Sequence, residues 1–142
     1  MTPQHINMRR SGIGLIAVGA AFTVAVLPPL HPLAVVFLQI AYWPMHGVSA
    51  ELQVPAPLLV AISGGLVAGL GAMFWALGTH VAPLSAEIAS RVARMVTWTW
   101  FTIDSAASVL AGAPFNVVLN LFFLGLMLWS CRPAVPAAAA RT

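Results

Sequence analysis

The chain has 142 residues, of which 61% are hydrophobic and 6% charged, and its mean hydropathy is +0.95. Soluble domains contain about 45–50% apolar and roughly 25% charged residues, so the composition excludes an ordinary soluble domain and a disordered chain. The net charge of +3 comes from scattered arginines, whereas nucleic-acid binding needs basic residues clustered on one face. The composition therefore predicts an integral membrane protein surrounded by lipid bilayer, with no nucleic-acid partner.

Four apolar segments predict membrane-spanning helices, which need about 17–25 residues each. They lie at about 11–30, 57–78, 92–112 and 115–131. The predicted fold class is all-α: an integral membrane four-helix bundle that forms a single transmembrane domain over 11–132. Residues 1–10 are expected to form a cytoplasmic N-terminus, and the Pro- and Ala-rich residues 133–142 a disordered C-terminal tail.

Prolines end the first span. Pro28, Pro29 and Pro32 break or kink a helix, because proline lacks an N–H and clashes with the preceding turn. The apolar stretch 33–43 that follows is too short for a second crossing and predicts an interfacial or re-entrant segment. The first helix is therefore expected to be broken or extended by a proline-kinked segment.

The N-terminal region has a second interpretation. Arg9-Arg10 before an apolar run resembles a secretory or twin-arginine signal peptide. The run is long for a signal peptide, and no clear small-x-small cleavage site precedes Pro28. An uncleaved first helix is the preferred interpretation.

The arginines predict the orientation of the chain. With four spans, all of them fall on one side and Glu51 falls on the other, and cytoplasmic loops are enriched in Lys and Arg. We therefore expect a multi-pass protein of the bacterial cytoplasmic (inner) membrane with both termini in the cytoplasm. Glu87 and Arg91, four residues apart, predict that the third helix begins around Ser85. The arginines expected to set topology and meet lipid headgroups are Arg9, Arg10, Arg91, Arg94 and Arg132.

Asp104 lies near the middle of the third predicted span, where an acid costs about 2.5–3.5 kcal/mol on insertion scales. It should therefore face other helices. Helical spacing and depth counted from the turn at Gly112 predict a buried polar cluster formed by Asp104, Ser105, Ser108, Asn116 and Asn120. One hypothesis makes Asp104 a station for protons or ions; the other, favoured because no second buried charge accompanies it, makes it a hydrogen-bonded link between helices.

Small residues in the second span predict a helix-packing face, because small side chains let helix backbones approach closely in lipid. A phosphate-binding loop is excluded, since no strand precedes these glycines and no lysine follows them. The packing residues predicted are Gly64, Gly65, Ala68, Gly69 and Ala72.

No cofactor or metal site is predicted. The single cysteine, Cys131, excludes a Cys-pair metal site and an intramolecular disulfide. None of the four histidines lies inside a predicted span. Of the four, His31 is the best candidate to bind a haem or pigment, although an interfacial role is favoured for it.

Two sequence blocks, 64–75 (GGLVAGLGAMFW) and 104–120 (DSAASVLAGAPFNVVLN), resemble a family of small uncharacterised four-helix bacterial inner-membrane proteins. The resemblance covers roughly the last two-thirds of the chain. That family has a tryptophan between its paired glycines, where this chain has Leu70. The resemblance implies the four-helix membrane fold and no known activity. Small multidrug-resistance exporters are similar in size, but their essential acid lies in the first helix, which has none here.

Two function classes follow from these patterns. Catalysis is not expected, because the chain has no nucleophile–base pair, metal cluster or sizeable extramembrane domain. The preferred hypothesis is a non-enzymatic accessory or structural subunit that packs against other subunits of a larger membrane complex, of respiratory or photosynthetic type. The alternative is a small oligomeric transporter or channel that uses Asp104 for proton or ion coupling.

Overall fold

The computed structural model describes residues 3–44 and 56–132, which form five α-helices and no β-strand. The predicted all-α class is confirmed. The predicted tail at 133–142 and the predicted outer position of Glu51 lie outside the described residues. The helices are α1 (Pro3–Val24), α2 (His31–Ala41), α3 (Ala56–Ala76), α4 (Ala86–Leu110) and α5 (Asn116–Ser130).

The prolines separate α1 from α2. A 3₁₀ turn at Pro28–Leu30 follows α1, and the axis of α2 is bent by 119° from that of α1. The His31 ring lies 2.8 Å from the carbonyl oxygen of Val26, and Phe22 of α1 meets Phe37 of α2 edge-to-face at 4.8 Å. With 11 residues, α2 is about 16 Å long, which is too short to cross a bilayer alone.

Helix α1 begins at Pro3, so the first helix extends the predicted span toward the N-terminus and includes both Arg9 and Arg10. It packs antiparallel against α3, since Gly12 lies opposite Gly71 and Gly19 lies opposite Gly64. These four residues form what we call the glycine seam. They recur every seven residues on each helix, the repeat that brings the same face of two helices together at a shallow crossing angle.

Helices α4 and α5 form a tight hairpin. Ser85 caps α4, its Oγ accepting a hydrogen bond of 3.2 Å from the backbone N–H of Ile88, which confirms the predicted start of this helix. At the other end, Gly112 has a φ of +76°, a left-handed conformation that glycine adopts without a steric penalty. The chain reverses there, and α5 begins at Asn116.

The termini of four helices lie together at one end of the molecule. The Gln4 amide donates hydrogen bonds to the Ala86 carbonyl at 3.1 Å and to Ser90 Oγ, and Ser90 Oγ lies 3.2 Å from the carbonyl oxygen of Cys131. The π-helical turn Leu77–Val81, which continues α3, packs on α1 at this same end. The starts of α1 and α4 therefore lie beside the ends of α3 and α5.

The surface of the described helices is unusually apolar. Leu66, Leu110 and Phe122 are 71%, 88% and 71% exposed. By length and hydropathy, Pro57–Val81 is the one continuous helix in the described ranges that could cross a membrane; α1 and α2 pass the same test only as a single bent segment. This test therefore finds fewer crossing helices than the four spans predicted. Helix α4, in which Arg94 and Asp104 lie among serines and threonines, does not pass it, and α5 has only 15 residues.

Candidate functional site

The α4–α5 hairpin brings polar side chains from two helices together. Asp104, Ser105 and Ser108 lie on one face of α4, since residues four apart are neighbours on a helix. Asn116 and Asn120 have the same spacing on α5. Because the turn at Gly112 is short, the two faces meet at matching depths. The structure therefore joins all five residues of the predicted polar cluster.

The two asparagines connect the helices. Asn120 Nδ2 donates to Asp104 Oδ2 at 2.6 Å and to Ser105 Oγ at 3.2 Å. Asn116 Nδ2 donates to Ser108 Oγ at 2.8 Å and lies 3.4 Å from Asp104 Oδ2. Ser108 Oγ in turn donates to the backbone carbonyl of Asp104 at 2.7 Å. Every donor of this network is thus directed at α4, and four of the five bonds hold the hairpin together.

The electrostatics of the cluster are those of an acceptor site. A carboxylate can only accept hydrogen bonds, so the asparagine NH₂ groups must face it and their carbonyl oxygens are left as acceptors. Neither Asn Oδ1 atom has a hydrogen bond within residues 3–44 and 56–132. The same ranges contain no ion pair to Asp104; their one ion pair joins Arg91 to Glu87 at 2.8 Å and is exposed.

Three residues of the cluster line a cavity of about 460 Å³. All five helices contribute to its wall, which is mainly apolar, and Asp104, Asn116 and Asn120 are among its few polar residues. Its volume lies within the range of roughly 300–1,000 Å³ that is typical of small-molecule pockets. The aromatic side chains on the wall are Phe22, Phe37, Tyr42, Trp100 and Phe123.

The helix-packing residues divide between two faces of α3. Gly64 and Ala68 pack against Gly19 of α1 as part of the close α1–α3 contact. Gly65 and Gly69 do not: a Cβ added to either would meet nothing within 4 Å, and Ala72 is exposed. Gly65 and Gly69 therefore point away from α1, and their predicted role in helix packing stays a prediction.

The sequence analysis missed two structural features. The glycine seam includes Gly12 and Gly71, whose signal was a seven-residue repeat that the neighbouring Gly-x-x-x-Gly pattern obscured. A buried Gln4–Ser90 pair also links α1 to α4, and no local pattern relates residues so distant in the chain.

The arginines lie toward the end of the molecule that holds Gln4 and Ser90, as neighbours of these residues along the helices. Arg91 follows Ser90 and pairs with Glu87, and Arg94 lies one turn further along α4. Arg132 follows Cys131, whose carbonyl oxygen accepts from Ser90. Arg9 and Arg10 lie in the second turn of α1 after Gln4. The five arginines that the structure describes therefore lie toward one end of the helix group.

The His31 ring lies within hydrogen-bonding distance of the Val26 carbonyl oxygen at the α1–α2 turn. No group of three or more His, Cys, Asp or Glu side chains that could hold a metal ion occurs in the part of the chain that the structure describes.

Comparison of the chain with family models, with curated proteins and with solved structures produced no match. The resemblance of blocks 64–75 and 104–120 to the family of small four-helix membrane proteins stays a prediction. The function must therefore be argued from the geometry of this chain.

Proposed function

We propose that the chain is a small, non-enzymatic integral protein of the bacterial inner membrane and acts as an accessory subunit that packs against a larger membrane complex. In this proposal α1, α3, α4 and α5 cross the bilayer as a four-helix bundle, and α2 lies at the outer interface or re-enters. The arginine-rich end faces the cytoplasm.

The exposed apolar surface supports the membrane part of this proposal. Monomeric soluble proteins rarely expose large contiguous apolar patches, whereas a lipid-facing surface is apolar on all sides. Leu66 on α3, Ile103 on α4 and Phe122 on α5 are each more than half exposed. Arginines at one end and apolar side chains along the helices are the pattern expected of a membrane bundle with that end in the cytoplasm.

The main support for the accessory role is a face of α3 that does not contact α1. Gly65 and Gly69 form a Gly-x-x-x-Gly pair on which a Cβ would meet no atom within 4 Å. In lipid, helices associate where small residues allow close backbone approach. Because α1 contacts a different face of α3, this second glycine face is open to a helix from another subunit.

Affinity purification in a gentle detergent, followed by mass spectrometry, tests the accessory role. The wild-type chain should bring down a defined set of membrane subunits, and Gly69→Leu should release them while the variant still accumulates. Gly14→Leu is the matched control, because Gly14 also has open space around it but lies on α1. Equal recovery of the partners with both variants would contradict a role for this face, and the absence of any stoichiometric partner of the wild type would contradict the accessory function.

A second candidate function is favoured by the cavity. A carboxyl group on the wall of a mainly apolar cavity is the feature expected of a small transporter or channel that couples to protons or ions. The purified chain, reconstituted into lipid vesicles, should then transport protons or ions across the membrane without any other subunit. Asp104→Asn should abolish this flux while leaving the fold intact.

A further inference from the structure

We propose that the cavity between the five helices binds a lipophilic organic cation: an apolar body that carries one protonated amine, with the amine on Asp104 and the body in the apolar part of the cavity. This binding site requires the observed packing of the helices but not the accessory role.

The polar groups of the cavity determine which polar group of a ligand can bind there. Asn116 and Asn120 use their NH₂ groups on Asp104 Oδ2 and on the serine neighbours, so Asp104 Oδ1 and the two amide oxygens, which accept no hydrogen bond within residues 3–44 and 56–132, are left to meet a ligand. All three are oxygen atoms that can accept hydrogen bonds. A ligand that offers several N–H donors satisfies them, and a carboxylate or phosphate ligand would be repelled.

The charge of the site selects a cation. No arginine pairs with Asp104 within residues 3–44 and 56–132, and the described arginines lie toward the opposite end of α4 and α5. Asp104 lies on a mainly apolar wall without an ion partner in these ranges, and a bound ammonium group would pair with it directly. The ligand therefore supplies the positive charge that the described part of the chain does not.

The aromatic and apolar wall of the cavity favours a ligand with an apolar body. Two aromatic pairs line the cavity, Phe22 with Phe37 at 4.8 Å between ring centroids and Trp100 with Phe123 at 6.5 Å. Aromatic rings favour organic cations through their negative faces and favour apolar groups through burial. A volume of about 460 Å³ accepts a molecule much larger than a metal ion or a simple ammonium ion.

The ligand has a route into the cavity along α3. Ser63 and Leu59 line the cavity, and both are exposed, Leu59 to 58%. These residues lie in the half of α3 that precedes Gly71 and away from the arginine-rich end. An amphipathic amine could enter past them without a rearrangement of the helices.

Fluorescence titration of the purified full-length chain with dansylcadaverine, a primary amine whose emission reports an apolar environment, tests this inference. The matched probe is N-acetyl-dansylcadaverine, which has the same fluorophore without the charge. We expect wild type to bind the amine about tenfold to a hundredfold more tightly than the acetylated probe, the ratio expected for a charge-assisted hydrogen bond. In Asp104→Asn this preference should disappear, while the weaker binding of the acetylated probe is unchanged.

Two further variants locate the site. Val60→Phe fills part of the cavity, since Val60 lines it, and should weaken binding of both probes at least tenfold. Val36→Phe is the matched control, because Val36 is 53% exposed on α2 and is not part of the cavity wall. Equal affinity of wild type for the two probes, no binding of either, or an unchanged preference in Asp104→Asn would overturn the inference. If Asp104→Asn does not fold, the comparison of the two probes on wild type decides the question.

Discussion

Asp104 is the residue on which the interpretation of the α4–α5 pair depends. Its carboxyl group accepts from Asn120 at 2.6 Å, and Asn116 lies at 3.4 Å. The sequence was sufficient to predict this cluster, because the Gly112 turn fixes the relative depth of two helices that follow one another directly. The volume of the cavity beside it was not predictable, since all five helices form its wall.

At this scale, substitutions of Asp104 separate hydrogen bonding from charge. Asparagine can still accept from Asn120 through its amide oxygen, so Asp104→Asn should unfold with the wild-type midpoint. Asp104→Ala removes the acceptor and should lower the free energy of unfolding by about 1 kcal/mol or less, the scale measured for contacts between helices in membranes. Denaturation of the detergent-solubilised protein, followed by circular dichroism, measures both.

Thr99→Ala is the control for this comparison, because the Thr99 hydroxyl is exposed and bonds only to Met95 of its own helix. Its midpoint should equal that of the wild type. A loss in Asp104→Asn as large as that in Asp104→Ala would show that the network requires the carboxyl group itself.

At the scale of the helices, the contact of α1 with α3 determines the packing. A Cβ on Gly71 would lie 2.6 Å from the Gly12 carbonyl oxygen, and a Cβ on Gly12 would lie 2.6 Å from the Gly71 oxygen. At such a distance the hydrogen of glycine faces the carbonyl, the arrangement of a weak Cα–H···O contact. Helix existence and the proline break were predictable, since both are local properties. The sequence did not allow us to predict which glycines of α3 meet α1. Gly64, Gly65, Gly69 and Gly71 are all compatible with a packing face until the position of the partner helix is known.

The glycine seam predicts opposite effects for neighbouring substitutions on one helix. Gly71→Ala should destabilise the protein by about 1–3 kcal/mol, because the methyl group forces two backbones apart. Gly69→Ala should leave stability unchanged or raise it by up to about 1 kcal/mol, since alanine has the higher helix propensity and its methyl group meets open space. Thermal unfolding of the two variants in the same detergent measures the difference. Equal midpoints would contradict the close α1–α3 contact.

At the scale of the whole molecule, the proposal is a bundle of four helices that cross the bilayer with the arginine-rich end in the cytoplasm. The alternation of helix directions supports it, because the starts of α1 and α4 lie beside the ends of α3 and α5. Helices α4 and α5 are the critical pair, since neither passes the test of length and hydropathy by itself. Composition alone leads to the prediction of a membrane protein, whereas the prediction of four crossings requires that packing of these two helices compensates for Asp104 and for the short length of α5.

Alkaline phosphatase fusions in a bacterial host test this central claim most directly, because the enzyme is active only outside the cytoplasm. Fusions placed after Leu84, after Gly112 and after Arg132 bracket α4 and α5. The account predicts an active enzyme after Gly112 and inactive enzymes after Leu84 and Arg132, with comparable amounts of each fusion by immunoblot. An inactive enzyme at all three positions would show that α4 and α5 do not cross the membrane, and the four-helix bundle would be contradicted.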